Sequence, residues 1–191
     1  MIALLAIDIP TAKFEAWYKW VYMVRLETVL SAWKAVREDT AAAVESLPAD
    51  DLRYQPMPEV MSFGDIARHI LESSHALTGM LLDGVDNMMG PEFRPMVQKY
   101  AEQVRVPEEK QALVGQLRVA LDQQLDKLAS EGPEFYAAEI IRFDGQRVTR
   151  LEMLQFVKEH ELTHRAQLFM YLRMKGIVPP TTRRRLAKAK A

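Results

Sequence analysis

The sequence of 191 residues predicts an all-α protein: a four-helix bundle with long connections and a small β-hairpin between its third and fourth helices. Three observations predict it. Apolar residues recur at three- and four-residue steps over four separate stretches, the period of a helix burying one face. Two boxes of the Ser/Thr-x-x-acid type, Ser62-Phe63-Gly64-Asp65 and Thr149-Arg150-Leu151-Glu152, mark helix starts. Gly176, followed by Pro179-Pro180, marks a helix end.

The first helix is expected over Thr11 to Leu47, where Trp17, Tyr18, Val21, Val24, Leu26, Val29, Leu30, Trp33, Val36 and Val44 form a broad apolar stripe. That is long for one globular helix and allows a break near Tyr22–Arg25. Pro48 and the acids Asp50 and Asp51 end it, and a polar loop with Pro56 and Pro58 runs to Met61. The second helix starts at Ser62, carries Ile66, His69, Ile70, Ala76, Leu77, Leu81 and Leu82, and stops near Gly84. Residues 85–106, with Gly90, Pro91 and Pro95, read as a long loop or a broken helix, the kind of element that often shapes a binding pocket.

Pro107 at a first helical position, with Glu108 and Glu109 in the first turn, begins the third helix. Leu113, Leu117, Leu121, Leu125 and Leu128 give it its apolar face, and Gly132-Pro133 ends it. Asp144-Gly145 between the β-prone residues Ile140 and Val148 predicts the hairpin. The fourth helix runs from Thr149 to about Lys175. One domain is expected over 1–180, and residues 181–191, with Arg183, Arg184, Arg185, Lys188 and Lys190, read as a basic disordered tail.

Composition narrows function. Twenty-five basic residues balance 26 acidic ones, so the body is not built to hold nucleic acid. Cysteine is absent, which removes disulfides, thiolate ligands and a cysteine nucleophile; any metal must be held by His, Asp, Glu or backbone oxygen. The apolar run Met1 to Ile7 is too short for a membrane span and lacks the basic flank of a signal peptide, so no membrane partner and a cytoplasmic location are expected.

His160 and His164 are the most informative pair. Four residues apart on a helix, they stack two imidazoles on one face, where both reach one divalent ion. The same face carries Met153, Val157, Gln167, Leu168 and Tyr171, so it turns inward. On the second helix His69 lies among Ile66, Ile70 and Leu77 and turns inward too. Facing helices about 8–10 Å apart let a histidine of one complete a site begun on the other. Three nitrogens would leave one coordination position open for water. Two partly buried histidines with hydrogen-bond partners are the plainer reading of the pair taken alone. His75, six residues after His69, is rotated away and reads as structural.

The segment from Pro58 to His69, PEVMSFGDIARH, resembles the second-helix motif of the DinB/YfiT-like four-helix bundles. So does Thr149 to Leu154, TRLEML, followed by His160 to Leu168, HELTHRAQL, and by Tyr171 to Pro180. The resemblance covers about residues 20 to 180. It implies His69, His160 and His164 as ligands of a divalent metal, zinc or nickel, and often a homodimer. Members with assigned activity are mostly S-transferases of low-molecular-weight thiols and related enzymes, so a small-molecule thiol or electrophile is the implied substrate. A three-histidine cation with an open place suits that chemistry, because it lowers the pKa of a bound thiol or water.

Supporting residues stay open. Glu161 lies about 100° round the helix from His160, as a flanking catalytic base or a surface or outer carboxylate. Asp65 and Glu72 bracket His69 and can receive its free N–H, though capping explains Asp65 more simply. Gln167 is a candidate cavity-lining residue, and Arg165 and Arg173 stand available to an acidic substrate or a dimer face. His160-Glu161-Leu162-Thr163-His164 also satisfies the zinc-protease pattern, but no further glycine-and-histidine extension follows and no sheet edge is expected to hold a peptide. The reading from another class is a non-catalytic metal-binding dimer that holds a ligand or partner.

Overall fold

The computed structural model describes residues 24–190. The first helix, α1 (Leu26–Ser46), begins after an extended Arg25. The stripe expected over residues 11–23 lies outside the described residues. Val29, Trp33, Val36, Thr40 and Val44 are buried along one face of α1, and Leu47 leaves the helix before Pro48. A 3-10 turn (Ala49–Arg53) buries Leu52. α2 (Phe63–Leu82) starts as its sequence implies, with Ser62 Oγ accepting the Asp65 amide at 3.2 Å.

The 85–106 segment is structured at its centre, where α3 (Phe93–Ala101) lies against α2. α4 (Lys110–Ala129) starts three residues later than Pro107, because the Glu109 carboxylate caps it by accepting the Ala112 amide at 2.8 Å. Gly132-Pro133 ends that run but also opens a short α5 (Pro133–Ala137), with the proline at its first position. The hairpin stands as expected. β1 (Glu139–Ile141) pairs antiparallel with β2 (Arg147–Thr149), Ile140 opposite Val148. α6 (Arg150–Met174) opens on a complete capping box, Thr149 with Glu152. It ends at Gly176, whose φ of 72° is the left-handed conformation that glycine adopts without cost.

The basic tail is a correction. α7 (Pro180–Lys188) is helical, with Arg184 2.6 Å from Asp39 and Arg183 2.7 Å from Ser46, both of α1. Composition alone could not reveal that α1 offers partners for those cations.

α1 packs against α4 and α6, and α2 against α6, α3 and α4. The interior falls into two apolar halves. One gathers Val44, Phe63, Ile66, Ile70, Leu113, Leu117, Leu168 and Leu172. The other gathers Val29, Trp33, Met80, Leu81, Leu121, Leu128, Met153 and Val157. On α1, α2, α4 and α6 the changeover falls near mid-length, and at that level of α1, α2 and α6 the buried polar residues Arg37, Ser74 and Glu161 sit. Among the described residues no helix is long and apolar enough to cross a membrane.

Candidate metal centre

α6 carries His160 and His164 on one face because four residues advance slightly more than a turn; α2 brings His69 up to them across the α2–α6 seam. The three rings converge. Nε2 of His160 lies 3.4 Å from Nε2 of His69 and 3.1 Å from Nε2 of His164. The three donor nitrogens all lie within 4.8 Å of one another. Metal–nitrogen bonds of about 2.0–2.1 Å at tetrahedral angles put ligand nitrogens about 3.3 Å apart. The donor set therefore fits a divalent ion in both chemistry and spacing.

Hydrogen bonding bears on the same point. Nδ1 of His164 meets Oε1 of Gln167 at 2.7 Å, and a carbonyl oxygen there requires Nδ1 to be the protonated nitrogen. In its neutral form His164 then offers a bare lone pair at Nε2, directed at the other two rings. Burial, with the neighbouring imidazoles of His164 and His69 adding to it, pulls the His160 pKa down to about 4. Burial and His164 lower that of His69 in the same direction. Both are thus uncharged at neutral pH, the state in which imidazole ligates.

The remaining candidates are placed as follows. Gln167 is exposed and serves His164. Asp65 is spent on Ser62 and Arg68, at 2.6 and 3.2 Å, and not on His69. Glu72 is half-buried, its pKa raised by desolvation against the lowering effect of Arg68. His75 stands apart, its Nδ1 3.3 Å from Gln124 of α4. Arg173 donates to the Phe169 carbonyl. Arg165, a candidate for substrate binding, pairs with Asp39 at 3.3 Å and lies over the Phe169 ring, so its charge is answered within the bundle.

Glu161 is corrected as a candidate catalytic base. Its carboxylate turns towards α1, is 1% exposed, and is held by Arg37 Nε at 2.6 Å, Arg37 Nη2 at 2.8 Å and Trp33 Nε1 at 2.6 Å. Arg37 also reaches the Leu117 carbonyl and Ser74, which ties four helices together. The step of about 100° from His160 was legible in the sequence; which neighbour waits there was not. The signal that could have found it is a lone arginine within the apolar stripe of α1, between Trp33 and Val44.

Comparison with known proteins agrees with this architecture. The uncharacterized protein YjoA of Bacillus subtilis is 25% identical over 159 residues, covering 81% of this chain and 93% of its own. The crystal structure of that DinB-like protein aligns with a TM-score of 0.61 at 26% identity, over 78% of this chain and 92% of that one. A DinB-like protein from Bacillus cereus gives 0.61 at 19% identity, over 81% and 95%. A mycothiol-dependent maleylpyruvate isomerase shares the fold at 0.57 and 14% identity, over 76% of this chain and 61% of its own. Residues 23–190 match the DinB family throughout, and the chain belongs to that family.

Proposed function

We propose that this chain is a divalent-metal-dependent enzyme of the low-molecular-weight-thiol S-transferase or hydrolase type, with zinc or nickel held by His69, His160 and His164. One observation carries the reading: three imidazole nitrogens from two helices converge at spacings of 3.1 and 3.4 Å, which suit one small cation. A divalent ion held there supplies Lewis acidity, drawing the pKa of a thiol or water that reaches it towards neutrality.

The protein's own part is preorganisation. Gln167 fixes the tautomer and ring plane of His164. Burial keeps His69 and His160 uncharged. Each ring is only partly buried, so a small molecule reaches the site from solvent. A thiol co-substrate is favoured over water by the fold that the chain shares with a mycothiol-dependent isomerase.

Elemental analysis of untagged protein, followed by a screen of thiol and electrophile pairs, tests the proposal. About one zinc or nickel ion per chain is expected, and His69→Ala should lower its affinity by at least about tenfold, since a three-ligand set would become a two-ligand one. A His69→Ala variant that binds metal as tightly as the parent overturns the ligand set. Metal stripping that abolishes turnover while the fold persists supports catalysis; stripping that melts the bundle with no turnover to lose favours a structural ion.

A further inference from the structure

A row of three phenylalanines, each from a different segment, runs outward from the histidine cluster. Phe156 precedes His160 by one helical turn, its ring centroid 6.4 Å from that imidazole and the two planes 26° apart. Phe143, at the hairpin turn, meets Phe156 edge-on at 5.5 Å. Phe93, at the start of α3, stacks on Phe143 at 5.1 Å. Core packing accounts for Phe93 and Phe156, which lean on one apolar half of the interior. It does not account for Phe143, which stays 37% exposed although a polar residue at a hairpin turn would cost nothing.

Arg142 decides what such a wall selects. Its guanidinium carbon lies 5.1 Å from the Phe156 centroid and 5.9 Å from that of Phe143. The fork is already closed by Asp144, with Nε to Oδ1 at 3.0 Å and Nη2 to Oδ2 at 2.5 Å. Nη2 also reaches Gln146 at 3.1 Å. The arginine therefore polarises the rings without presenting a free charge to an anion.

We propose that Phe156, Phe143 and Phe93 form the substrate wall of the metal centre and select an uncharged planar group, aromatic or conjugated, on the molecule whose reacting atom reaches the ion. The inference rests on the metal-dependent reading above and deepens it by naming the substrate class. The exposed part of Phe143, backed by the partly buried Phe93 and Phe156, offers apolar surface against which a flat group loses water, and an added aromatic contact is worth roughly three- to tenfold in affinity.

The test uses the full chain loaded with cobalt(II), read by its visible spectrum, and three probes that bring the same nitrogen to the metal. These are imidazole, 4-phenylimidazole and 4-(imidazol-4-yl)benzoate. The phenyl probe should bind about tenfold tighter than imidazole, and the benzoate no tighter than the phenyl probe. Phe143→Ala, at an exposed position, should keep the cobalt spectrum and cut the phenyl preference to about threefold or less. A cobalt spectrum with equal affinity for imidazole and its phenyl derivative overturns the wall and leaves the metal centre standing. So does a Phe143→Ala variant with the preference intact, and a benzoate probe that binds tightest shows an anion site instead. Failure to bind cobalt at all overturns the metal centre and the wall together.

Discussion

Gln167 lies three residues beyond His164, and its Oε1 accepts from His164 Nδ1 at 2.7 Å. Nothing else in the site fixes a proton so directly, because this one contact decides which nitrogen of His164 faces the cluster. Gln167→Ala should therefore weaken metal binding by about tenfold with little change in melting, measured by competition with a coloured chelator. His160 supplies a second expectation. Its pKa in the folded chain, about 4, lies below the ordinary 6.5, so the native metal-free protein binds this proton less readily than the unfolded chain. The stability tied to that difference is fully present above about pH 6.5 and is lost as pH falls towards about 4. Melts of chelator-treated protein should show the loss over that window, and His160→Gln should flatten it. At this scale the histidines were legible because period and burial pattern dictate the face each one occupies. Glu161 was not, since a helix fixes a side chain's direction and says nothing about what it meets.

Elements were legible where their ends carry their own chemistry. Ser62, Thr149 and Gly176 each place a boundary by local bonding or backbone preference, and α2 and α6 follow. α7 was missed, and α3 was left between a long loop and a broken helix, for the opposite reason: their stability comes from what they lean on. α3 is seated by Tyr100, whose hydroxyl donates to Asp83 at 2.8 Å and whose ring crosses Gly79 of α2. A methyl group on Gly79 would come within 2.8 Å of that ring. Gly79→Ala is thus predicted to lower stability by about 1–2 kcal/mol in a denaturant titration, since the clash outweighs the helix-propensity gain of under about 1 kcal/mol. The same variant should loosen Phe93, which α3 carries into the aromatic row.

For the whole molecule, the instructive fact is that its interior is divided. Arg37 and Glu161, 2% and 1% exposed, meet between the two apolar halves with nearly every donor and acceptor matched. Such a pair is costly to dehydrate and costlier to break than to replace. Arg37→Met alone should destabilise the protein by about 3–5 kcal/mol, because Glu161 is left charged and largely unanswered. Arg37→Met combined with Glu161→Met should recover most of that loss in thermal melts, short of the share belonging to the orphaned Trp33 indole. If the double variant is no better than the single, the pair contributes stability in its own right. The bundle architecture followed from apolar period and capping, whereas this buried layer did not, because opposite charges on distant helices look like ordinary surface residues until the helices face each other.

That layer has a further consequence. Sliding α6 by one turn, about 5.4 Å, would drive the Glu161 carboxylate in among Val29, Trp33 and Leu77 of one apolar half or Ala41, Val44 and Ile70 of the other. Each rod thus has a single admissible height, as a key has in its wards. His160 is the residue immediately before the clasped Glu161, and His164 follows three places later, so the height at which both meet His69 is inherited from a lock on the adjoining face of the same helix.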